Sequence, residues 1–107
     1  DICAKLGKLS HIHATTPKSW EKYGIHVIEP LLTLAGDQGK LKRSQKWAEG
    51  NSVIINYKWE SGFQATVSAL GDAACPLSLR LIGNKGWHDI IFEDAFLSAL
   101  IIVFLIT

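Results

Sequence analysis

The chain has 107 residues, of which 48% are hydrophobic and 20% charged, with a formal net charge of +1. That length supports one domain with a core of its own and leaves no room for two. The near-neutral balance excludes a field strong enough to gather nucleic acid. The local run of Lys40, Lys42, Arg43 and Lys46 reads instead as a solvated strand face.

Residues 6–14 (LGKLSHIHA) alternate after Gly7, with Leu9, His11 and His13 on one side and Lys8, Ser10 and Ile12 on the other. This predicts a strand, broken by Thr15, Thr16 and Pro17. Ser19 to Gly36 then predicts a helix, with Ser19 as N-cap and Gly36 as the C′ stop. Trp20, Gly24, Val27, Leu31 and Leu34 cluster on one side of it, and Lys22, His26, Glu29 and Thr33 form a narrow polar stripe. Pro30 has no N–H to give to the carbonyl of His26, so it either kinks this helix or opens a second helical segment.

From Lys40 the periodicity turns to alternation. Lys40 to Ala48 reads as a polar strand and Glu49-Gly50-Asn51 as a turn. Ser52 to Glu60 is the clearest strand, with Val53, Ile55, Tyr57 and Trp59 on one face and Ile54, Asn56 and Lys58 on the other. Ser61-Gly62 closes a hairpin into Phe63 to Leu70. After a loop over Gly71 to Pro76, Leu77, Leu79 and Leu81 form the next apolar row. Gly83 to Gly86 turns the chain and Trp87 to Phe92 returns it. The expectation is a meander of about five strands in an antiparallel sheet covered by helices on one face. Glu93 and Asp94 suit the start of a last helix. Its apolar stretch over 95–106 is shorter than the ~20 residues a bilayer requires, so no membrane partner is expected.

Cys3 and Cys75 set neither a disulfide framework nor a metal-ligand spacing; they read as free thiols in a reducing cytosol, with a single bridge as the other reading. The opening Asp1-Ile2-Cys3 lacks the basic and apolar regions of a signal peptide, which points to a cytoplasmic location. The sequence contains no methionine, so residue 1 is not a translation start and the chain is read as a fragment, a single domain or a processed product. Gly83-Asn84-Lys85-Gly86 is followed by a strand rather than a helix and is no phosphate loop. His11 and His13, as H-x-H on a strand, can share a metal or stand as two surface histidines, and no third ligand sits at a diagnostic spacing. His26 is the best titratable candidate, since an unperturbed pKa near ~6.5 suits proton transfer at neutral pH. A solvated or structurally hydrogen-bonded histidine is the other reading of that position.

In their order, these segments resemble the C-terminal domain of the glucose–fructose oxidoreductase/inositol dehydrogenase family. LGKLSHIHA is similar to the strand that leads out of the family's Rossmann half. YGIHVIEPLLTLAG resembles its signature helix, where G-x-H is followed by an acidic residue and later a glycine. VIINYKWESGFQATVSAL, LSLRLIGNKG and EDAFLSAL resemble the strands and closing helix that come after. The resemblance implies an α+β domain with an open, mostly antiparallel sheet, helices packed on one face, and a Rossmann domain absent from this chain. It implies substrate binding and oligomerisation in an NAD(P)-dependent oxidoreductase acting on a sugar, polyol or related hydroxy compound. His26 takes the family's catalytic proton-transfer position, and Lys22 and Tyr23 fall on the substrate side. NAD or NADP would be held by the Rossmann half and not by these 107 residues. Lys22 stands where the family has an acid, and a cation there favours a neutral imidazole at His26. The alternative from another class is a non-catalytic interaction module that self-associates through Val53, Ile55, Tyr57, Trp59 and Phe63.

Overall fold

The computed structural model describes the backbone over residues 2–17, 20–71 and 75–92, and side chains over 4–17, 27–71 and 75–91. The expected N-cap at Ser19 and the last helix from Glu93 lie outside these residues. Among the described residues there are eight elements: α1 (Ile2–Leu6), β1 (Leu9–Thr16), α2 (Trp20–Ala35), β2 (Leu41–Glu49), β3 (Ser52–Trp59), β4 (Gln64–Ala69), β5 (Leu77–Gly83) and β6 (Trp87–Phe92). The strands form one mixed sheet in the order β2-β3-β4-β1-β5-β6.

Neighbouring strands run antiparallel except β1 and β4, which are parallel. The expected meander is therefore interrupted, because β4 and β5 are consecutive in sequence but separated by β1. The reason lies in the inner face of β1, where Ile12, Ala14 and Thr16 are at most 1% exposed. A strand this apolar on one side gains most in the middle of the sheet, with ladder partners on both edges. β1 also runs two residues further than its predicted end. Thr15 and Thr16 are β-branched and fit a strand, so the break falls at Pro17.

The short helix α1 was not among the expected elements. Leu6 anchors it in the core at 4% exposure. Its end is pinned to the β5–β6 turn, where the Lys85 amide donates to the Leu6 carbonyl and the Asn84 amide to that of Lys8. The closeness of this approach explains Gly83, since a Cβ there would run into the Leu6 carbonyl.

α2 continues as one helix through Pro30. Val27, Leu31 and Ala35, spaced four apart, form its buried stripe, and the helix packs across β1 and β4. It ends as expected: Gly36 takes a φ of 70° and its amide donates to the Leu32 carbonyl at 3.2 Å. The stripe shares one core with Ile12, Ala14, Phe63, Val67, Leu79 and Leu81. Each large side chain there contributes ~1.5–3 kcal/mol of hydrophobic stabilisation.

The β3–β4 hairpin forms where alternation placed it. The Gly62 amide donates to the Trp59 carbonyl at 3.0 Å, and Ser61 Oγ accepts from the Phe63 amide at 3.1 Å. β2 is an edge strand exposed along its whole length, which matches the reading of its lysines and arginine as a solvated run.

Candidate functional site

Ladder register sorts the side chains that point away from the core. On that face Gln45, Asn56, Thr66, His13, Arg80 and Asp89 form one line across all six strands. A second line carries Arg43, Lys58, Gln64, His11, Ile82 and Trp87. A third carries Trp47, Ile54, Ser68, Thr15, Ser78 and Ile91. Polar groups hold the middle, and large apolar ones stand at both flanks: Trp47 is 52% exposed, Ile54 39%, Trp87 65% and Ile91 64%. Isolated exposed apolar residues are ordinary on a protein surface, and these four share one face of the sheet.

Arg80 is the anchor of the middle line. Its Nε donates to Asp89 Oδ1 at 2.7 Å and its Nη2 to Oδ2 at 2.9 Å, a bidentate pair. The guanidinium also lies over the Trp87 ring, 5.1 Å from the centroid. The hydrogen bonds from Arg80 hold the Asp89 carboxyl below its ordinary value. His13, the neighbour on β1, is held below its ordinary 6.5 by burial first, then by His11 and by Arg80. Burial and two neighbours thus favour a neutral imidazole on this face.

The rest of the polar line is internally bonded. Thr66 Oγ1 donates to Asn56 Oδ1 at 2.7 Å. Ser10 Oγ gives its proton to the Ile82 carbonyl at 3.1 Å, so at the 2.9 Å contact with His11 Nδ1 the ring is the donor. A neutral His11 therefore carries its proton on Nδ1 and offers Nε2 as an acceptor. Between His13, Thr15, Ser78, Arg80 and Ile91 the face dips into a depression of about 270 Å³. This lies below the ~300–1,000 Å³ of ordinary ligand pockets, and its scale suits one inserted side chain.

His26, Lys22 and Tyr23 all fall on the N-terminal half of α2, and their side chains lie outside the described residues. α2 packs against the core side of β1 and β4, so the helix that carries them and the Arg80 line belong to opposite sides of the sheet. His11 and His13 do share a face, with ring centroids 6.3 Å apart in a T-shaped arrangement. Among the described residues, no group of three His, Cys, Asp or Glu side chains is placed to hold a metal. Cys75 is a free thiol. No described helix is long and apolar enough to cross a membrane.

The residues expected to form a self-association face need correction. Ile55 and Phe63 are buried at 7% and 3% exposure, and Tyr57 and Trp59 pack against the same core. Alternation found the right set of residues but assigned it to the surface. It is the core-facing set, stacked as a tilted aromatic run with centroids 6.0 and 5.3 Å apart. The exposed counterpart was available from the same rule, since Leu77, Leu79 and Leu81 leave Ser78, Arg80 and Ile82 for the other side. What alternation does not supply is the register that sets Arg80 between His13 and Asp89.

No family model, curated protein or solved structure matches this chain.

Proposed function

We propose that this chain is the substrate-binding and oligomerisation domain of a cytoplasmic NAD(P)-dependent oxidoreductase acting on a sugar, polyol or related hydroxy compound. In this reading it is an α+β domain with its helices on one face of an open sheet. α2 presents His26 as the proton donor or acceptor, with Lys22 and Tyr23 beside the substrate. A Rossmann domain elsewhere in the protein holds the nicotinamide, and the open sheet face joins copies of the chain.

The observation that supports it best is the division of labour between the two sides of the sheet. One side is closed by the helix that carries the G-x-H run, while the other leaves Trp47, Ile54, Trp87 and Ile91 exposed around a polar line. In the whole oxidoreductase, His26→Ala should lower kcat by ~10²–10⁴-fold, the usual worth of a positioned acid or base. Titration of the 107-residue chain with NAD and NADP should show no saturable binding. Wild-type turnover in the His26→Ala enzyme, or tight nicotinamide binding by this chain alone, would remove the reading.

A second reading, a non-catalytic module that self-associates through its sheet, is favoured by the same exposed apolar side chains. It requires self-association to persist while His26→Ala changes no activity of the whole protein.

A further inference from the structure

We infer that two copies of this chain pack their open sheet faces together about a two-fold axis that runs parallel to the strands and passes between β4 and β1. This rests on the proposed self-association through that face and adds the partner geometry, which the residues themselves select.

Identical faces can meet about an in-plane axis in two simple ways. An axis across the strands lays the middle line upon itself, setting Arg80 on the partner's Arg80 and Asp89 on the partner's Asp89. An axis along the strands instead lays β2 over β6, β3 over β5 and β4 over β1. It then sets Gln45 over the partner's Asp89, Asn56 over the partner's Arg80 and Thr66 over the partner's His13. The flanking lines pair Arg43 with the partner's Trp87 and Trp47 with the partner's Ile91. These positions follow from the ladder register alone.

Charge decides between the two. The strand-parallel arrangement stacks no like charges and gives each half of the Arg80–Asp89 pair an amide partner. The two apolar ends, Trp47 on β2 and Ile91 on β6, lie at opposite edges of one sheet. Only an axis that exchanges the edges brings them together. The same operation seats Ile54 over the partner's Ser78, at the depression of about 270 Å³ bounded by His13, Thr15, Ser78 and Ile91. That socket suits an inserted isoleucine, and each copy supplies one plug and one socket, as an isologous interface requires. Alignment of strand directions is also the common mode of sheet-on-sheet packing. The two longer extents of the molecule, 38 and 30 Å, bound a face able to supply the ~800 Å² per partner that stable interfaces bury.

The test uses the 107-residue chain with Cys3 and Cys75 replaced by serine. Sedimentation velocity and thiol cross-linking with a short bis-maleimide are read together. We expect a dimer, a cross-link when Lys58→Cys chains are mixed with Ile82→Cys chains, and none for Gln45→Cys alone. Ile54→Ala should raise the dimer dissociation constant tenfold or more, while Leu32→Ala, exposed on α2, should leave it unchanged. A dimer that cross-links through Gln45→Cys alone, or that fails to link Lys58→Cys to Ile82→Cys, overturns the pairing geometry and leaves self-association standing. A dimer insensitive to Ile54→Ala overturns the plug and socket. A monomer at every concentration, as when the chain's own apolar segment 95–106 occupies the face, overturns the geometry and the self-association reading together.

Discussion

Thr16 offers the sharpest test of the core. It lies at the end of β1 with 0% exposure, and its Oγ1 has no hydrogen-bond partner among the described residues. The backbone there is satisfied, since its carbonyl accepts from the Leu70 amide at 3.0 Å. Only the hydroxyl is stranded. Burying an unpaired hydroxyl costs ~1–3 kcal/mol by mutational measures. Thr16→Val keeps the branched shape, removes that cost and exchanges the oxygen for a methyl, a favourable change of ~0.8 kcal/mol of hydrophobic burial. The variant should gain ~2–4 kcal/mol, and each kcal/mol corresponds to a rise of ~4–8 °C in Tm for a domain near this size. Differential scanning calorimetry at neutral pH measures it. Thr16→Ser, which keeps the stranded hydroxyl and loses the methyl, should move about 1 kcal/mol the other way. An unchanged or lowered Tm for Thr16→Val would refute the reasoning and assign the hydroxyl a buried water as partner.

His13 resists protonation in the folded state, so the unfolded chain binds the proton first as pH falls. Stability present above pH 6.5 is then lost progressively below it, until the folded-state value is passed. His13→Gln should flatten that part of a urea-denaturation pH series, and an NMR midpoint for His13 at or above 6.5 would contradict the assignment. Asp89 should titrate below 3.8 by carbon-detected NMR and return towards it in Arg80→Ala. Its stabilising effect is present above 3.8 and disappears as pH drops through the lowered value. Gly83→Ala should destabilise by ~1–3 kcal/mol through displacement of α1, seen as a lower urea midpoint, whereas Gly86→Ala, with only the Lys5 carbonyl at 3.8 Å, should be milder.

Much of this fold was legible because alternation is a local signal. Val53 to Trp59 and Phe63 to Ala69 revealed the hairpin and sorted its residues into two faces, without telling which face is buried. Gly36 marked the helix end because a positive φ suits few other residues. The place of β1 was not legible. Its residues predict a strand, but nothing within Leu9–Thr16 names Ala65 and Leu81 as the partners of Ile12, which lie far along the chain. The error over the exposed face has a related origin. In Ser52–Trp59 both faces carry isoleucine, Ile55 on one and Ile54 on the other. A core face and a docking face differ in what covers them, and composition does not record that. α1 escaped notice since five residues hold too little periodicity to count.

The position of β1 has a consequence for how the chain acquires its structure. β2, β3 and β4 can close as successive hairpins, and so can β5 and β6, each over a few intervening residues. Within the sheet the two groups are joined only by β1, which can pair with β4 along one edge but completes its other ladder only after β5 exists. The last closure therefore joins contacts of high sequence separation, the kind that slows folding. Until then β1 and β5 each present an unpaired edge, the usual starting point of aggregation. The edge between β1 and β5 is therefore the last in the sheet to be covered, and the one a destabilised chain leaves open longest.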